Sequence, residues 1–405
     1  MTGEKVFATA VSVLQQLGSA AEAAYLLYSS EQQRAWVAAA RPRWVFAAGS
    51  APQQFFAALT SGGPGIFLAA PTFAASDPSW PVAALLVPSI EVAIDARGAR
   101  CSVGSWDGLD ALLNDAHPGA AAQPVVGRDL VQWDAWQGED DRAFSGRLQQ
   151  AIAATQGRAG KVIVSRRLTR STGGADPLRL LRLFGGAEPN AAAIHYVALP
   201  GGLISMGTSP ENIVELHGGE LSIDAVAGTR PRTGDASRDA ALQAELLQSP
   251  KERHEHALAV ERARAFATRV CQEGSAKLLF ERRVRVLRAV QHLHSRAGGR
   301  LAQGLNFATL LERCHPPLMS YPPELAAQFA PPWPGHFYGG MVGRVSGADG
   351  SAFLNLRCLE IEARQINIYA GVGIVDGSSL EGELAEVRNK LGTVTDVVEQ
   401  WLAPS

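Results

Sequence analysis

Apolar and polar residues alternate along several stretches of the chain, in the period-two pattern that predicts β-strands. Strands are predicted for GKVIVSRRL, IHYVALPGGLISMG, NIVELHGGELSIDAV and INIYAGVGIV, and Gly-Gly pairs in the second and third predict tight turns. Nearer the N-terminus, WPVAALLVPSIEVAIDARGARCSVG predicts strands joined by a turn at Arg97–Gly98. Much of the chain is therefore expected to be sheet.

Helical periodicity marks other segments of the chain. DRAFSGRLQQAIAATQGR places Phe144 and Leu148 on one face, and further helices are predicted near 250–270, 321–330 and 380–402. Strands and helices do not alternate regularly along the sequence. This order favours a mixed α+β sheet fold over a parallel βαβ array.

The N-terminal third is less regular than the rest. Residues 1–34 are predicted to form an amphipathic helix, interrupted by too many polar residues to be a signal peptide. HPGAAAQPVVG around Pro118–Gly127 predicts a loop or a weak subdomain boundary.

Composition excludes several classes of protein. The 405 residues include 37 basic and 39 acidic side chains, a balance that argues against a nucleic-acid partner. Length alone would allow about two to three domains. The four cysteines lie far apart, so a disulfide framework or a structural zinc site is not expected. A cytoplasmic location is expected instead. No stretch approaches about 18 unbroken apolar residues, so no membrane span is expected.

The predicted last helix carries the first candidate chemistry. At about 100° per residue, Glu383, Glu386 and Lys390 fall within an arc of about 60° beside its apolar stripe. Two carboxylates spaced in this way could hold a hard cation such as Mg²⁺. The alternative is a solvated face with a Glu386–Lys390 ion pair, and the residues alone favour that alternative.

The predicted helix near 250 offers another carboxylate. Ser249 and Glu252 fit a capping box, which would make Glu252 structural. Glu255 lies further along the helix and remains open as a Mg²⁺ ligand. The flanking His254 and His256 point to different faces, so a zinc pair is not expected there.

Other candidates sit at strand ends and in apolar runs. Glu211 follows a Pro after an apolar strand, where a raised pKa could make it a general acid. Lys161 begins a strand, where desolvation could make it a base. Arg357, within an apolar run predicted as β, would want a carboxylate partner. Gly371 and Gly373 would allow close approach by a ligand. The alternatives are an ordinary turn carboxylate, a solvated lysine and a β-bulge.

Taken together and in order, these motifs resemble one family. GKVIVSRR, GTSPE, AGTR, SPKERHEH, VQHLHS, FYGGMVG, LRC, AGVGIVDGSS and EGELAEVRNKLG occur as in the chorismate-utilising enzymes, such as isochorismate synthase, salicylate synthase and anthranilate synthase component I. The resemblance covers about residues 140–402, and residues 1–135 match weakly. It implies a single domain over 1–405, with a large mixed or antiparallel β-sheet flanked by helices, as in anthranilate synthase component I. The N-terminal part would be a divergent portion of that sheet.

A few positions indicate the subgroup within the family. Lys161 stands where anthranilate synthases usually carry Gln, and Ala227 stands where aminodeoxychorismate synthases carry an attacking Lys. Arg357–Cys358 is more similar to isochorismate synthase than to salicylate synthase. The resemblance therefore implies an isochorismate synthase, an isomerase that adds water at C2 and loses the C4 hydroxyl. Salicylate synthase and a non-catalytic chorismate-binding protein are the alternatives.

The resemblance also implies a role for each site residue. Lys161 would activate the water and Glu211 would protonate the departing hydroxyl. Glu255, Glu383 and Glu386 would bind Mg²⁺. Chorismate would be bound by Gly228, Thr229, His292, Tyr338, Arg357, Gly373 and Lys390.

One segment departs from the family pattern. CHPPLMSYP is about two residues shorter than the usual family motif and lacks its Thr, which puts the specificity in question. The product could serve menaquinone, siderophore or salicylate biosynthesis. With no coiled-coil heptads, a monomer is expected.

Overall fold

The structure, a computed structural model, describes most of the chain. The described residues are 1–18, 21–61, 63–73, 80–107, 135–158, 160–315 and 336–403, together with 317, 318, 320, 325, 328–331 and 333. The predicted loop at Pro118–Gly127 and most of the predicted helix at 321–330 lie outside them.

Among the described residues, every strand pairing is antiparallel, and the strands form one hydrogen-bonded sheet. In chain order the strands are β1 Ala23–Ser29, β2 Arg34–Ala47, β3 Gly65–Ala69, β4 Pro81–Asp95, β5 Gly98–Val103, β6 Gln137–Gly138, β7 Val162–Ser171, β8 Ala193–Ala198, β9 Ile204–Ser209, β10 Asn212–His217, β11 Glu220–Pro231, β12 Lys277–Val286, β13 Val290–Arg300, β14 Met341–Ser346, β15 Asp349–Leu354, β16 Cys358–Glu362 and β17 Gln365–Ile374. The expected α+β fold with a large sheet is confirmed.

Helices flank this sheet. They are α1 Gly3–Gly18, α2 Pro52–Ser61, α3 Asp141–Thr155, α4 Pro177–Ala187, α5 Ala236–Gln248, α6 Pro250–Val270, α7 Phe307–Cys314 and α8 Leu380–Leu402. The predictions near 141–155, 250–270 and 380–402 are confirmed, while the sequence pattern did not indicate α2, α4, α5 and α7. No helix in the described part of the chain is long and apolar enough to span a membrane.

Strand register explains how the sheet separates a core from a site. Across β8, β9, β16, β17 and β7, an apolar row packs into the core that α8 covers. This row contains Tyr196, Met206, Leu359, Ile368 and Leu168. Because successive strand residues alternate sides, the neighbouring row faces the other way. That second row contains His195, Gly207, Cys358, Tyr369 and Arg167.

The last helix buries the predicted stripe. Val387, Leu391, Val394 and Val398 are each at most 2% exposed, and they pack against the apolar face of the sheet. The first turns of α8 lie beside the end of β17. The stripe therefore sets the rotation of the helix, and with it the direction of its glutamates.

The N-terminal prediction was wrong beyond residue 18. The helix ends at Gly18, and AAYLLYS forms β1, whose seven residues are all buried. A short apolar run fits a buried strand as well as a helix, so periodicity alone could not separate the two. β1 pairs with β8, and β3 pairs with β14, so strands of the weakly matching N-terminal part belong to the same sheet as the rest.

Candidate active site

The first turns of α6 and α8 meet at a polar pocket. Ser249 caps α6 by accepting from the Glu252 N–H, and Ser379 caps α8 by accepting from the Gly382 N–H. The pocket is lined by Thr229, Lys251, Glu252, Glu255, Gly373, Val375, Ser378, Glu383 and Glu386. The three predicted metal ligands thus line one pocket, although they come from two helices far apart in sequence.

Glu252 supports this pocket in a different way from the one predicted. Its carboxylate accepts from the Thr229 N–H at 2.9 Å and pairs with Arg230 at 2.7 Å. The capping box is therefore only half formed, since Glu252 turns towards β11 instead of its own N-cap. Glu252 is structural, as expected, but it joins α6 to the sheet.

Charges in the pocket are partly balanced by lysines. Burial raises the pKa of Glu383, the Ser378 hydroxyl opposes that rise, and the neighbouring Glu386 adds to it. Burial would also raise the pKa of Glu386, but Lys390 and Lys251 outweigh it and lower that pKa. The predicted i, i+4 pair is present, with Lys390 Nζ 2.7 Å from Glu386 Oε1. Lys251, at the exposed start of α6, was missed by sequence reasoning.

The donor set suits a hard cation in its chemistry. Carboxylate oxygens are the ligands that Mg²⁺ prefers. Within the described ranges, however, no group of three or more His, Cys, Asp or Glu side chains is gathered closely enough to hold a metal. Glu255, Glu383 and Glu386 line the pocket without being gathered in this way. Binding of Mg²⁺ therefore stays a prediction, and the residue types present are suited to it.

The two histidines beside Glu255 face different ways, as predicted. His256 is buried, and its Nε2 lies 2.7 Å from Ser295 Oγ, whereas His254 is exposed.

The side chain of Lys161 lies against Gly373 in the neighbouring strand. Lys161 directly precedes β7, whose Ile163 lies opposite Gly373 in β17. A Cβ at position 373 would lie 2.3 Å from Lys161 Cε and 3.0 Å from its Nζ. The register is regular at Gly371 and Gly373, so a close approach explains Gly373 and a bulge does not. The closely approaching group is Lys161.

The amine of Lys161 reaches the metal-ligand candidates. Its Nζ lies 3.8 Å from Glu255 Oε1, and its side chain is 42% exposed. The apolar surroundings expected from its strand are therefore only partly present. Ser320, in the shortened CHPPLMSYP segment, accepts from the Ile163 N–H at 2.9 Å, which brings part of this segment close to Lys161. The rest of the segment lies partly outside the described residues.

Glu211 has the raised pKa that its position suggested. Burial and the negative charge of Asp224 raise the pKa of Glu211 to about 8, although Lys161, Arg285 and the Val226 N–H oppose the shift. The carboxyl group therefore retains its proton at neutral pH. A protonated carboxyl beside a lysine can act as a proton donor.

Asp224, which sequence reasoning missed, is an ionised neighbour of Glu211. Burial would raise its pKa, but His294 and Arg296 lower that pKa to about 2. Their nitrogens lie 2.9 Å and 2.6 Å from Asp224 Oδ1. The available signal was a charged residue within the predicted strand SIDAV, while its register partner Arg296 on β13 is known only from the structure.

A bulge in β11 shapes the next part of the site. Gly228 has a φ of 80° and has no register partner between Ala227 and Thr229. Thr229 Oγ1 lies 3.1 Å from His292 Nδ1, and Arg357 Nη2 lies 2.9 Å from His292 Nε2. Since a guanidinium can only donate, Nε2 must accept and Nδ1 carries the proton. Burial, then the charge of Arg357, holds the pKa of His292 well below its usual range.

Arg357 lies between β15 and β16, so its predicted place inside a strand was wrong. It has a φ of 45° and is 8% exposed. Its carboxylate contact is with Glu188, whose Oε1 is 3.7 Å from Nη1, beyond hydrogen-bond range. Burial lowers the pKa of this guanidinium, and Glu188 partly restores it. A buried cation held by a neutral histidine is well suited to meet an anion.

Tyr338 and Lys390 converge on Gly371. Tyr338 Oη lies 2.9 Å from the position that a Cβ of Gly371 would take, and Lys390 Nζ donates to the Gly371 carbonyl at 2.9 Å. Burial raises the pKa of Tyr338 well above its usual range, so its hydroxyl stays a neutral donor. Gly371 and Gly373 thus allow the tyrosine and the two lysines to approach the same strand closely.

The predicted site residues are therefore linked by short contacts or electrostatic interactions. Comparison with known proteins adds the family. A model of the chorismate binding enzyme family matches residues 76–396. Anthranilate synthase component 1 of Streptomyces coelicolor is 34% identical over 252 residues, which cover 60% of this chain and 48% of that protein. The salicylate biosynthesis isochorismate synthase of Pseudomonas aeruginosa is 31% identical over 281 residues, covering 66% of this chain and 57% of that protein.

Solved structures include a similar fold. The menaquinone-specific isochorismate synthase of Escherichia coli aligns with a TM-score of 0.71 over 96% of this chain and 91% of that one, at 20% identity. The matched regions of the two sequence relatives span about half of their length, 48% and 57%. Because the family model matches most of the residues, the chain belongs to the chorismate binding enzyme family.

Proposed function

We propose that this protein is an isochorismate synthase, an isomerase that converts chorismate to isochorismate by adding water. One observation carries the proposal: Lys161 interacts electrostatically with Glu211 at one site, and the pKa of Glu211 is about 8. A base for water and an acid for a leaving hydroxyl are the two groups that such a reaction needs. An isochorismate synthase among the relatives supports the same choice.

Binding of the substrate would rest on buried donors. Chorismate carries two carboxylates, one on the ring and one on the enolpyruvyl side chain. Arg357 and the Tyr338 hydroxyl would donate to the side-chain carboxylate, with Lys390 adding positive charge. His292 would hold Arg357 in place through the 2.9 Å contact between them.

Proton transfer would follow from the placement of the acid and the base. Lys161 would take a proton from the water whose oxygen bonds to C2. Both ring double bonds would shift, from C1=C2 to C1=C6 and from C5=C6 to C4=C5, and the bond between C4 and its hydroxyl would break. Glu211 would give its proton to that hydroxyl, which leaves as water, so atoms and charge balance.

The glutamates of α6 and α8 would hold Mg²⁺ in this proposal. Glu255, Glu383 and Glu386 supply the oxygen donors that the ion prefers. When bound, Mg²⁺ would supply positive charge that offsets the ring carboxylate.

The product formed from chorismate tests the proposal. The purified protein is incubated with chorismate and Mg²⁺, with and without ammonium, and the products are separated by chromatography. Isochorismate alone is the expected result. Salicylate formed without an added lyase would identify a salicylate synthase, and anthranilate formed with ammonium would identify an anthranilate synthase. No turnover under either condition would contradict the proposal that this protein is an enzyme acting on chorismate.

A further inference from the structure

We infer that Glu360 and Tyr369 are positioning residues, which hold Tyr338 at the substrate site. The inference rests on the proposed function, because it gives them a part in binding the chorismate side-chain carboxylate. Neither residue stood out in the sequence.

Glu360 holds the backbone next to Tyr338. It lies in β16, its residue is 0% exposed, and its Oε1 accepts from the Phe337 N–H at 2.6 Å. Its Oε2 accepts from the Tyr369 hydroxyl. Burying a carboxylate is costly unless donors meet it, so these two hydrogen bonds tie both donors firmly to Glu360.

Tyr369 holds the ring of Tyr338. The two rings are stacked, with centroids 5.6 Å apart and planes 17° from parallel. The Glu360 carboxylate therefore holds Tyr338 in two ways. It binds the backbone N–H of Phe337, the preceding residue, and it binds the hydroxyl of Tyr369, whose ring packs against Tyr338.

Asn355 closes the same segment from the other side. Its Nδ2 donates to the Phe337 carbonyl at 3.0 Å, and its carbonyl accepts from the Gly339 N–H at 2.8 Å. Gly339 has a φ of 78°, which lets the chain turn tightly after Tyr338. With both sides held, the Tyr338 hydroxyl is directed towards Gly371.

A second buried carboxylate shows what a purely structural role looks like. Glu91 is also 0% exposed and accepts from the Tyr25 hydroxyl at 2.6 Å. It is neutralised by Arg344, which donates to both of its oxygens. Glu360 instead accepts from a backbone N–H of the Tyr338 segment, and Arg167 acts on it only through its charge. Burial raises the pKa of Glu360 to about 7, while Tyr369 and Phe337 oppose the shift.

The test compares Glu360→Ala, Glu360→Gln and Tyr369→Phe with the matched control Tyr25→Phe, which removes a tyrosine hydroxyl from the structural carboxylate. KM and kcat for chorismate are measured, together with hydrogen exchange of the Phe337 amide. Glu360→Ala is expected to raise KM about tenfold, with a smaller change in kcat, and to speed exchange. Glu360→Gln should retain most of the affinity, because its amide can still accept from Phe337 and meet Tyr369. Tyr369→Phe should raise KM less, since the stacked rings remain.

Unchanged KM and unchanged exchange in Glu360→Ala would overturn the inference, as would an equal rise of KM in Tyr25→Phe. If Glu360→Ala does not fold, Tyr369→Phe decides by the same two measurements. Failure of the wild-type protein to convert chorismate would instead contradict the proposed function. In that case, faster exchange at Phe337 in Glu360→Ala, but not in Tyr25→Phe, would still support the positioning of Tyr338.

Discussion

Individual side chains at this site depend on neighbours that their own sequence motifs do not contain. Glu211 was a candidate acid because it follows an apolar strand and a proline, and its pKa of about 8 agrees with that prediction. Asp224 and Arg285, which act on it, come from β11 and β12. Their positions follow from cross-strand register, which local patterning does not give.

The proton of Glu211 predicts how the enzyme responds to pH. Burial, then Asp224, raises its pKa to about 8, so the proposed acid loses its proton above that pH and kcat should fall there. Its pKa in the unfolded chain is lower, so its contribution to stability is present below the unfolded value and is lost as pH rises through about 8.

Rate profiles and thermal unfolding between about pH 6 and pH 9.5 check both effects, since this range brackets the pKa of about 8. Glu211→Gln should remove the part of the stability change that centres on Glu211, and Asp224→Asn should move the fall in rate to lower pH. A wild-type rate that rises steadily through pH 9 would contradict the assignment of Glu211 as the acid.

Gly373 predicts a second effect at the scale of one residue. A methyl group there would lie 2.3 Å from Lys161 Cε, so Gly373→Ala must displace the proposed base. A misplacement of about 1 Å costs about 10²-fold in rate, and Lys161→Ala should cost at least as much.

Both variants should stay folded while kcat falls; circular dichroism checks the fold and steady-state kinetics measure kcat. Gly146→Ala is the matched control for the glycine, because its Cβ meets nothing within 4 Å. Lys277→Ala, at an exposed position on β12, is the control for the lysine. Full activity in Lys161→Ala would contradict its role as base.

Helices α6 and α8 show how far an element can be predicted. The Ser249 cap of α6 and the apolar stripe of α8 follow from residue order, and the stripe places Glu383 and Glu386 on its edge. The convergence of the two helix starts was not predictable from local pattern, because it needs the sheet between them. For the same reason, Lys251 could not be recognised, although it lowers the pKa of Glu386 across the pocket. The prediction of a helix over AAYLLYS was wrong, because a buried strand lacks a distinctive period.

The start of α8 predicts a metal-dependent effect. Glu383→Gln removes one charged oxygen donor, so the apparent affinity for Mg²⁺ should fall. Titration calorimetry with Mg²⁺ alone and activity as a function of Mg²⁺ concentration measure this affinity. Glu381→Gln is the matched control, because Glu381 is exposed in the same first turn. Equal affinities in the two variants would remove Glu383 from the ligand set.

On the scale of the whole molecule, the site is built from one sheet and from the starts of α6 and α8 beside it. The sequence motifs predicted the α+β class and the site residues, while residues 1–135 gave weak indications. The structure pairs those N-terminal strands with the later ones, β1 with β8 and β3 with β14. The family model itself begins at residue 76, which leaves β1, β2 and β3 to be located by structure alone.

These distant pairings have a consequence for how the protein forms. Ala24 lies opposite Ala198, and Ala69 opposite Met341, so each early strand waits for a partner synthesised much later. Closing such long loops is entropically costly before the contacts are made, which slows folding of non-local sheets. Until synthesis reaches these partners, the strand edges that they will cover stay open, and the growing chain is most prone to aggregate during that interval.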